Sequence, residues 1–186
     1  LLGKSALRAT LPGMDSPVIP SLCLAEKRIL VTGGHGFVGS TVVSHLKALG
    51  CRDLSVPTRV ECDLLSAPSI ERYLAETRPQ VVIHLAGRVG GIGSNIRKPA
   101  SFFYENAIMG IQLMELAFRY RVEKFVSLGT VCSYPKYTNL PFREEELWSG
   151  YPEETNSAYG MAKKMLLVQS QAYRQQHGFN VIHLIA

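Results

Sequence analysis

Tyr159 and Lys163 stand four residues apart in the run Tyr159-Gly160-Met161-Ala162-Lys163. At that spacing on a helix the two side chains share a face. An ammonium beside a phenol stabilises the phenolate and lowers the tyrosine pKa towards working pH. Tyr159 then has the chemistry to give a proton to a carbonyl oxygen while hydride arrives at the carbon. A second reactive run is Ser127-Leu128-Gly129-Thr130-Val131-Cys132-Ser133-Tyr134-Pro135-Lys136. Thr130 is placed there to hydrogen-bond the same oxygen. Ser127 falls inside an apolar run and reads as structural.

Such a pair needs a hydride source, and the start of the chain offers a place for one. Arg28-Ile29-Leu30-Val31 reads as a buried strand, and Val38, Val42, Val43, Leu46 and Leu49 recur at helical spacing. Between them, in Val31-Thr32-Gly33-Gly34-His35-Gly36-Phe37-Val38-Gly39-Ser40, three glycines sit on a tight strand-to-helix turn. Gly33 permits the turn. Gly36 lets the backbone approach a pyrophosphate on the positive helix N-terminus, and Gly39 lets the helix pack close to the strand. A second strand, Asp53 to Val56, leads to Pro57-Thr58-Arg59. No acid stands at that tip to hold a ribose 2′-hydroxyl, and Arg59 is available for a 2′-phosphate, which favours NADP. Asp63 is in reach of an adenine amine.

The remaining pattern repeats the alternation. Ser66 caps a helix running to about Thr77, with Ile70, Tyr73 and Leu74 inward, and Pro79 stops it. Val81 to Leu85 is a third strand, apolar on both faces as a central parallel strand should be. Residues Gly87 to Pro99 read as a glycine-rich loop, followed by a long helix from Ala100 to Tyr120. Lys124 to Leu128 is a fourth strand, Gly129 to Ser157 a loop, Tyr159 to His177 a helix and Asn180 to Ile185 a fifth strand. This order predicts an α/β fold, a doubly wound parallel sheet of the Rossmann-like NAD(P)-binding kind.

Composition bounds the rest. A chain of 186 residues suits one domain with a real core. The net charge of +5 comes from scattered basic residues, which points to an anionic small molecule rather than nucleic acid. Cys23, Cys51, Cys62 and Cys132 lack paired metal-ligand spacing and read as thiols of a reducing, cytoplasmic compartment, with no metal site. No apolar run is long enough to span a membrane. Residues 1–26, with Lys4 and Arg8 but no acid before Pro12, then Pro17 and Pro20, read as an irregular N-terminal extension to a domain spanning 27–186. The long helix carries two apolar stripes. Phe103, Ala107, Gly110, Met114 and Ala117 form one, and Phe102, Met109, Leu113 and Leu116 the other. The last helix adds Met161, Met165, Val168 and Ala172. One stripe covers the sheet; the second implies either a deeply buried helix or a homodimer through helices 100–120 and 159–177.

With these runs assembled, the chain resembles the extended short-chain dehydrogenase/reductase superfamily. Within its NAD-dependent epimerase/dehydratase family it resembles the GDP-L-fucose synthases. The Thr32–Gly39 turn and the Tyr159–Lys163 run belong to the whole superfamily. The narrower likeness rests on His84-Leu85-Ala86-Gly87-Arg88-Val89-Gly90-Gly91-Ile92, on Cys132-Ser133-Tyr134-Pro135-Lys136 and on Pro152-Glu153-Glu154-Thr155-Asn156. The resemblance implies 3,5-epimerisation and 4-keto reduction of a GDP-4-keto-6-deoxy sugar with NADPH. It makes Thr130, Tyr159 and Lys163 the reductase set and Cys132 the base at the carbons flanking the ketone. It assigns cofactor contacts to Gly33, Gly36, Phe37, Val38, Gly39, Arg59, Asp63, Leu85, Ala86, Gly87, Tyr159 and Lys163. Substrate contacts fall to Val89, Gly90, Gly91, Thr130 and Cys132, and Asn106 orients nearby backbone.

At His35 some relatives carry a second arginine for the 2′-phosphate. The family's acid for epimerisation is a histidine beyond the fifth strand, and His84, His177 and His183 are not placed to replace it. The resemblance therefore makes this chain an N-terminal part that stops before the sugar-binding domain. Two other readings stay open. One is a related nucleotide-sugar 4-epimerase or dehydratase, although a dehydratase would want an acid pair near Thr130, where Val131 and Cys132 stand. The other is a non-catalytic nucleotide-binding module.

Overall fold

The structure, a computed structural model, describes residues 23–186. Five short strands form one parallel sheet: β1 (Ile29–Thr32), β2 (Leu54–Ser55), β3 (Val81–His84), β4 (Lys124–Leu128) and β5 (Val181–Leu184). Their order is β2-β1-β3-β4-β5. Five helices connect them: α1 (Phe37–Ala48), α2 (Ala67–Thr77), α3 (Ile92–Arg97), α4 (Pro99–Arg119) and α5 (Ser157–His177). Both sheet faces are covered. Leu30, Val82, Phe125 and Val181 pack with Ile70, Leu74, Leu113, Met114 and Ala117 of α2 and α4. On the other face Ile29, Val31 and Val81 pack with Leu46, Val42 and Val43 of α1. This is the expected doubly wound arrangement, and burial on both faces explains why the strands carry near-continuous apolar runs.

Element ends follow the local chemistry. The Ser66 side chain accepts from the Ser69 N–H and caps α2, which ends at Arg78 in the left-handed region. Pro99 opens α4 at its first turn, where a missing N–H costs nothing. One expectation is corrected: the stretch read as loop from Gly87 to Pro99 contains α3. Asn95 is buried there, and its side-chain amide donates to the Gly90 carbonyl at 3.0 Å and contacts that of Gly91. These local bonds offset the flexibility of Gly91 and Gly93. Of the expected N-terminal extension, residues 1–22 lie outside the described residues, while Leu24–Glu26 makes a single 3-10 turn, with Leu24 against the α1-side core.

The two stripes of α4 are largely used within the chain. Phe102, Ala107, Gly110, Leu113, Met114, Leu116 and Ala117 are all buried. Gly110 lets α5 approach closely: a Cβ there would lie 2.5 Å from the Leu166 methyls. Phe103, Met165 and Val168 remain exposed on the outer side of the α4 and α5 helices.

Candidate active site

The sheet order reverses between β1 and β3, and a crevice opens beyond their carboxyl ends, where open α/β sheets take ligands. A cavity of about 680 Å³ occupies it. Its walls come from Thr32 at the end of β1 and Gly33 and His35 after it, from Pro57 to Arg59 and Cys62 to Leu65 after β2, and from Ala86 to Arg88 after β3. Glu105 and Met109 of α4 close it. A volume of this order suits a cofactor-sized ligand.

The glycine turn shapes one wall. Gly33 has φ +73°, and a Cβ there would lie 2.6 Å from the Ala86 nitrogen, so β1 and β3 approach each other only through glycine. At Gly39 a Cβ would run into the Gly33 carbonyl and lie 2.6 Å from the Gly34 Cα, which is the close helix-to-strand contact expected of it. Gly36 is different. The nearest protein atom to its Cβ would be the Gly33 carbonyl oxygen at 3.3 Å, so little in the protein itself excludes a side chain. Gly36 is the N-cap of α1 and supplies no side-chain cap. Phe37 and Val38 follow with exposed side chains. The first N–H groups of α1 therefore keep their capacity for an anion.

Across the cavity, Arg59 is largely exposed and pairs with Asp63 at 3.6 Å, one turn away. His35 Nε2 meets the Val56 carbonyl at 3.0 Å, which sets its ring beside the same loop. Arg59, Asp63, Gly33, Ala86 and Gly87 line the cavity; Gly36, Phe37, Val38, Gly39 and Leu85 are not among its lining residues. Asn106 holds the loop after β3. Its Oδ1 accepts from the Arg88 N–H at 3.0 Å, and its amide donates to the carbonyls of Arg88 at 3.0 Å and Phe102 at 2.7 Å. Arg88 pairs with Glu105 and lies over the Phe102 ring at 5.5 Å. Val89, Gly90 and Gly91 follow, exposed, at the start of α3.

The reactive residues gather at the far end of the crevice. Thr130 caps a 3-10 turn over Val131–Ser133, with Oγ1 accepting from the Cys132 N–H at 3.2 Å. This turn is locked onto α5. Ser133 Oγ donates to the Gly160 carbonyl at 2.9 Å, and a Cβ at Gly160 would collide with the Cys132 carbonyl. The lock brings Thr130 and Cys132 to Tyr159, whose phenol feels both. Lys163 is buried one turn further on, its Nζ 3.4 Å from the Ala86 carbonyl. A Cβ at Gly87 would lie 3.2 Å from that ammonium and 3.0 Å from Asn106 Oδ1, so Gly87 joins the cavity to the reactive group.

The electrostatics correct one expectation. Burial pushes the Tyr159 phenol above its ordinary range, the nearby Cys132 adds to the rise, and the Thr130 hydroxyl opposes it. Burial also pulls Lys163 down to about 8. The ammonium is directed to the Ala86 carbonyl, so desolvation outweighs any lowering of the phenol by its charge. Tyr159 thus holds its proton at neutral pH, the state a proton donor needs.

Some contributors had not been singled out in the sequence. Ser133 and Gly160 make the lock, and their signal was present as a small pair flanking Cys132 and following Tyr159. Glu105 lines the cavity because it shares a face of α4 with Met109, four residues on; helical spacing from Met109, already in the second apolar stripe, would have found it. Leu64 and Leu65 had no signal beyond lying next to Asp63.

A two-faced parallel sheet with this glycine turn and crevice is a Rossmann-like domain of the dinucleotide-binding kind. The chain belongs to the NAD dependent epimerase/dehydratase family, whose model matches residues 29–186. It is similar to a GDP-L-fucose synthase of Sinorhizobium fredii, 42% identical over 164 residues, which is 88% of this chain and 52% of that protein. It is also similar to a probable GDP-L-fucose synthase 1 of Oryza sativa, 38% identical across 86% of this chain and 49% of that protein. Among solved structures, a GDP-L-fucose synthetase from Naegleria fowleri bound to NADP aligns with a TM-score of 0.75 at 30% identity, over 85% of this chain and 48% of that one. A GDP-mannoheptose C4 reductase from Campylobacter jejuni with NADP bound aligns at 0.83 with 28% identity, over 87% and 51%. The chain spans about half the length of the curated relatives it matches.

Proposed function

We propose that this chain carries the NADPH-binding and reducing half of a GDP-L-fucose synthase, acting on GDP-4-keto-6-deoxy-D-mannose by 3,5-epimerisation and 4-keto reduction. The observation that supports it best is the Ser133–Gly160 lock, which sets a thiol and a hydroxyl beside a half-buried tyrosine followed one turn on by a buried lysine. The likeness to fucose synthases and to NADP-bound reductases of GDP-sugars supports the substrate class. In this reading NADPH, when bound, supplies hydride to C4. Gly33, Gly36 and the first N–H groups of α1 hold its pyrophosphate, Asp63 its adenine and Arg59 its 2′-phosphate. Thr130 and Tyr159 polarise the C4 oxygen, and Tyr159 gives it a proton. Cys132 takes protons from C3 and C5, which the ketone acidifies, and the histidine that the resemblance assigns beyond the fifth strand returns protons to the opposite face. The setting is cytoplasmic. A second copy packs across Phe103, Met165 and Val168, and sedimentation as a monomer at high concentration would remove that part of the reading.

The test separates the two half-reactions. Substrate is incubated in deuterated water with the protein, in a form extended to its relatives' length, and incorporation at C3 and C5 is followed by mass spectrometry. Cys132→Ser is expected to keep NADPH binding and to lose most incorporation, because a serine hydroxyl is far less acidic than a thiol. Normal incorporation by this variant would remove Cys132 as the base.

A further inference from the structure

A row of polar side chains crosses the sheet beneath Lys163. Thr32, His84, Ser127 and His183 are register partners on β1, β3, β4 and β5. Strand partners in register project to the same face, here the face covered by α4 and α5. Thr32, His84 and Ser127 are buried. The row is bonded in two separate pairs: Thr32 Oγ1 with His84 Nδ1 at 2.8 Å, and Ser127 Oγ with His183 Nδ1 at 2.8 Å. His84 is fully buried, yet its Nε2 has no hydrogen-bond partner among the described residues. A buried polar atom without a partner is costly and marks an interaction through ordered water or a mobile group. The charged or titratable groups His84 feels are Lys163 of α5 and His183 of β5. From α4 the uncharged Asn106 faces the same Gly87 corner as Lys163.

The tautomer of His84 follows from this setting. If Thr32 donated to Nδ1, a protonated Nε2 would turn an N–H towards the field of the Lys163 cation. If Nδ1–H donates to Thr32, Nε2 offers its lone pair instead, which a nearby ammonium favours. We propose that His84 is a positioning residue: Thr32 fixes it as the Nδ1–H tautomer, and its Nε2 accepts from the Lys163 ammonium through one buried water. The lysine, which among the described residues otherwise bonds the Ala86 carbonyl alone at 3.4 Å, then has a second support from the sheet floor. His183 plays no equal part, because its Nε2 lies against Gly129. The imidazole stays neutral and able to accept, since burial, with help from Lys163 and His183, lowers His84 to about 3.

The positioning role rests on the proposed reductase activity only for its consequence in catalysis, and its test needs no turnover. Long-range nitrogen–proton NMR of the unmodified chain reads the His84 tautomer, assigned by the signal lost in His84→Gln. Nδ1–H is expected at neutral pH; Nε2–H would overturn the proposal without any variant having to fold. Titration of Lys163, followed by labelled lysine NMR, supplies the second reading. His84→Leu is expected to lower the Lys163 midpoint by about one pH unit, with His84→Gln, which keeps an acceptor, restoring it. An unchanged midpoint in a folded His84→Leu chain would overturn the proposal. NADPH titration of the same variants separates this from the cofactor reading. A chain that never binds NADPH yet shows the tautomer and the lowered midpoint contradicts the function and leaves the positioning role standing.

Discussion

In the form extended to its relatives' length, Tyr159→Phe is expected to slow NADPH oxidation in the presence of the 4-keto GDP-sugar by roughly 10²–10⁴-fold, the usual scale for losing a general acid. The substitution removes one oxygen from a half-buried ring and leaves the Ser133–Gly160 lock intact. The fold is therefore expected to be retained, and NADPH titration of the variant separates any loss of the Tyr159 cofactor contact from loss of the proton donor. The phenol is the natural donor because burial keeps it protonated, while Thr130 holds the same region by its hydroxyl. Deuterium incorporation at C3 and C5 should continue in this variant, since the proposed base for that step is Cys132 and not the phenol. Stopped-flow absorbance of the nicotinamide gives the hydride step directly. A loss of less than about tenfold, with binding unchanged, would mean that the proton comes from elsewhere.

Acid should destabilise the fold well before its carboxylates titrate. Burial lowers His84 to about 3 and His183 to about 4, against 6.5 for an ordinary histidine. Below about 6.5 the unfolded chain takes up protons that the folded chain refuses, so stability is full above that pH and falls as pH drops towards the folded values. For each such group, every pH unit below the unfolded value costs about 1.4 kcal/mol of stability until the folded value is reached. Between pH 7.5 and pH 5 the two histidines together should remove on the order of 3–4 kcal/mol. Urea unfolding at the two pH values measures this, and His84→Gln should flatten the profile by about half. The lowered carboxylates Glu61, Glu115, Glu123 and Glu154 act later and weakly, because all are well solvated. A stability independent of pH over this range would show that the imidazoles are not held neutral.

The features that sequence carries well are those set by local chemistry. Gly33 and Gly39 announce a turn because their backbones leave no room for a side chain. The parallel strands announce themselves by apolar runs because both faces are buried. Tyr159 and Lys163 share a face because helical spacing requires it. The features it hides depend on distant partners. Helix α3 hangs on the Asn95 amide returning to the Gly90 and Gly91 carbonyls, which offsets the freedom of Gly91 and Gly93. The raised pKa of Tyr159 depends on burial by packed neighbours. The row through Thr32, His84, Ser127 and His183 exists only once four strands take their register. Lys164 is the same kind of case. Beside Lys163 in sequence, it bonds the Leu147 carbonyl and lies 4.3 Å over the Trp148 ring, pinning the long loop to α5.

The claim on which the rest depends is that the crevice between β1 and β3 is an NADPH site, and fluorescence titration of the reduced nicotinamide tests it on this chain. The expected result is saturable NADPH binding, weaker NADH binding, and a loss on the order of 1.5–3 kcal/mol in NADPH affinity for Arg59→Ala, the range for a charged hydrogen bond. NADH affinity should be nearly untouched by that substitution, because in the proposed reading the role of Arg59 is to bind the 2′-phosphate that NADH lacks. Equal affinities for the two cofactors, or no binding of either, would contradict it.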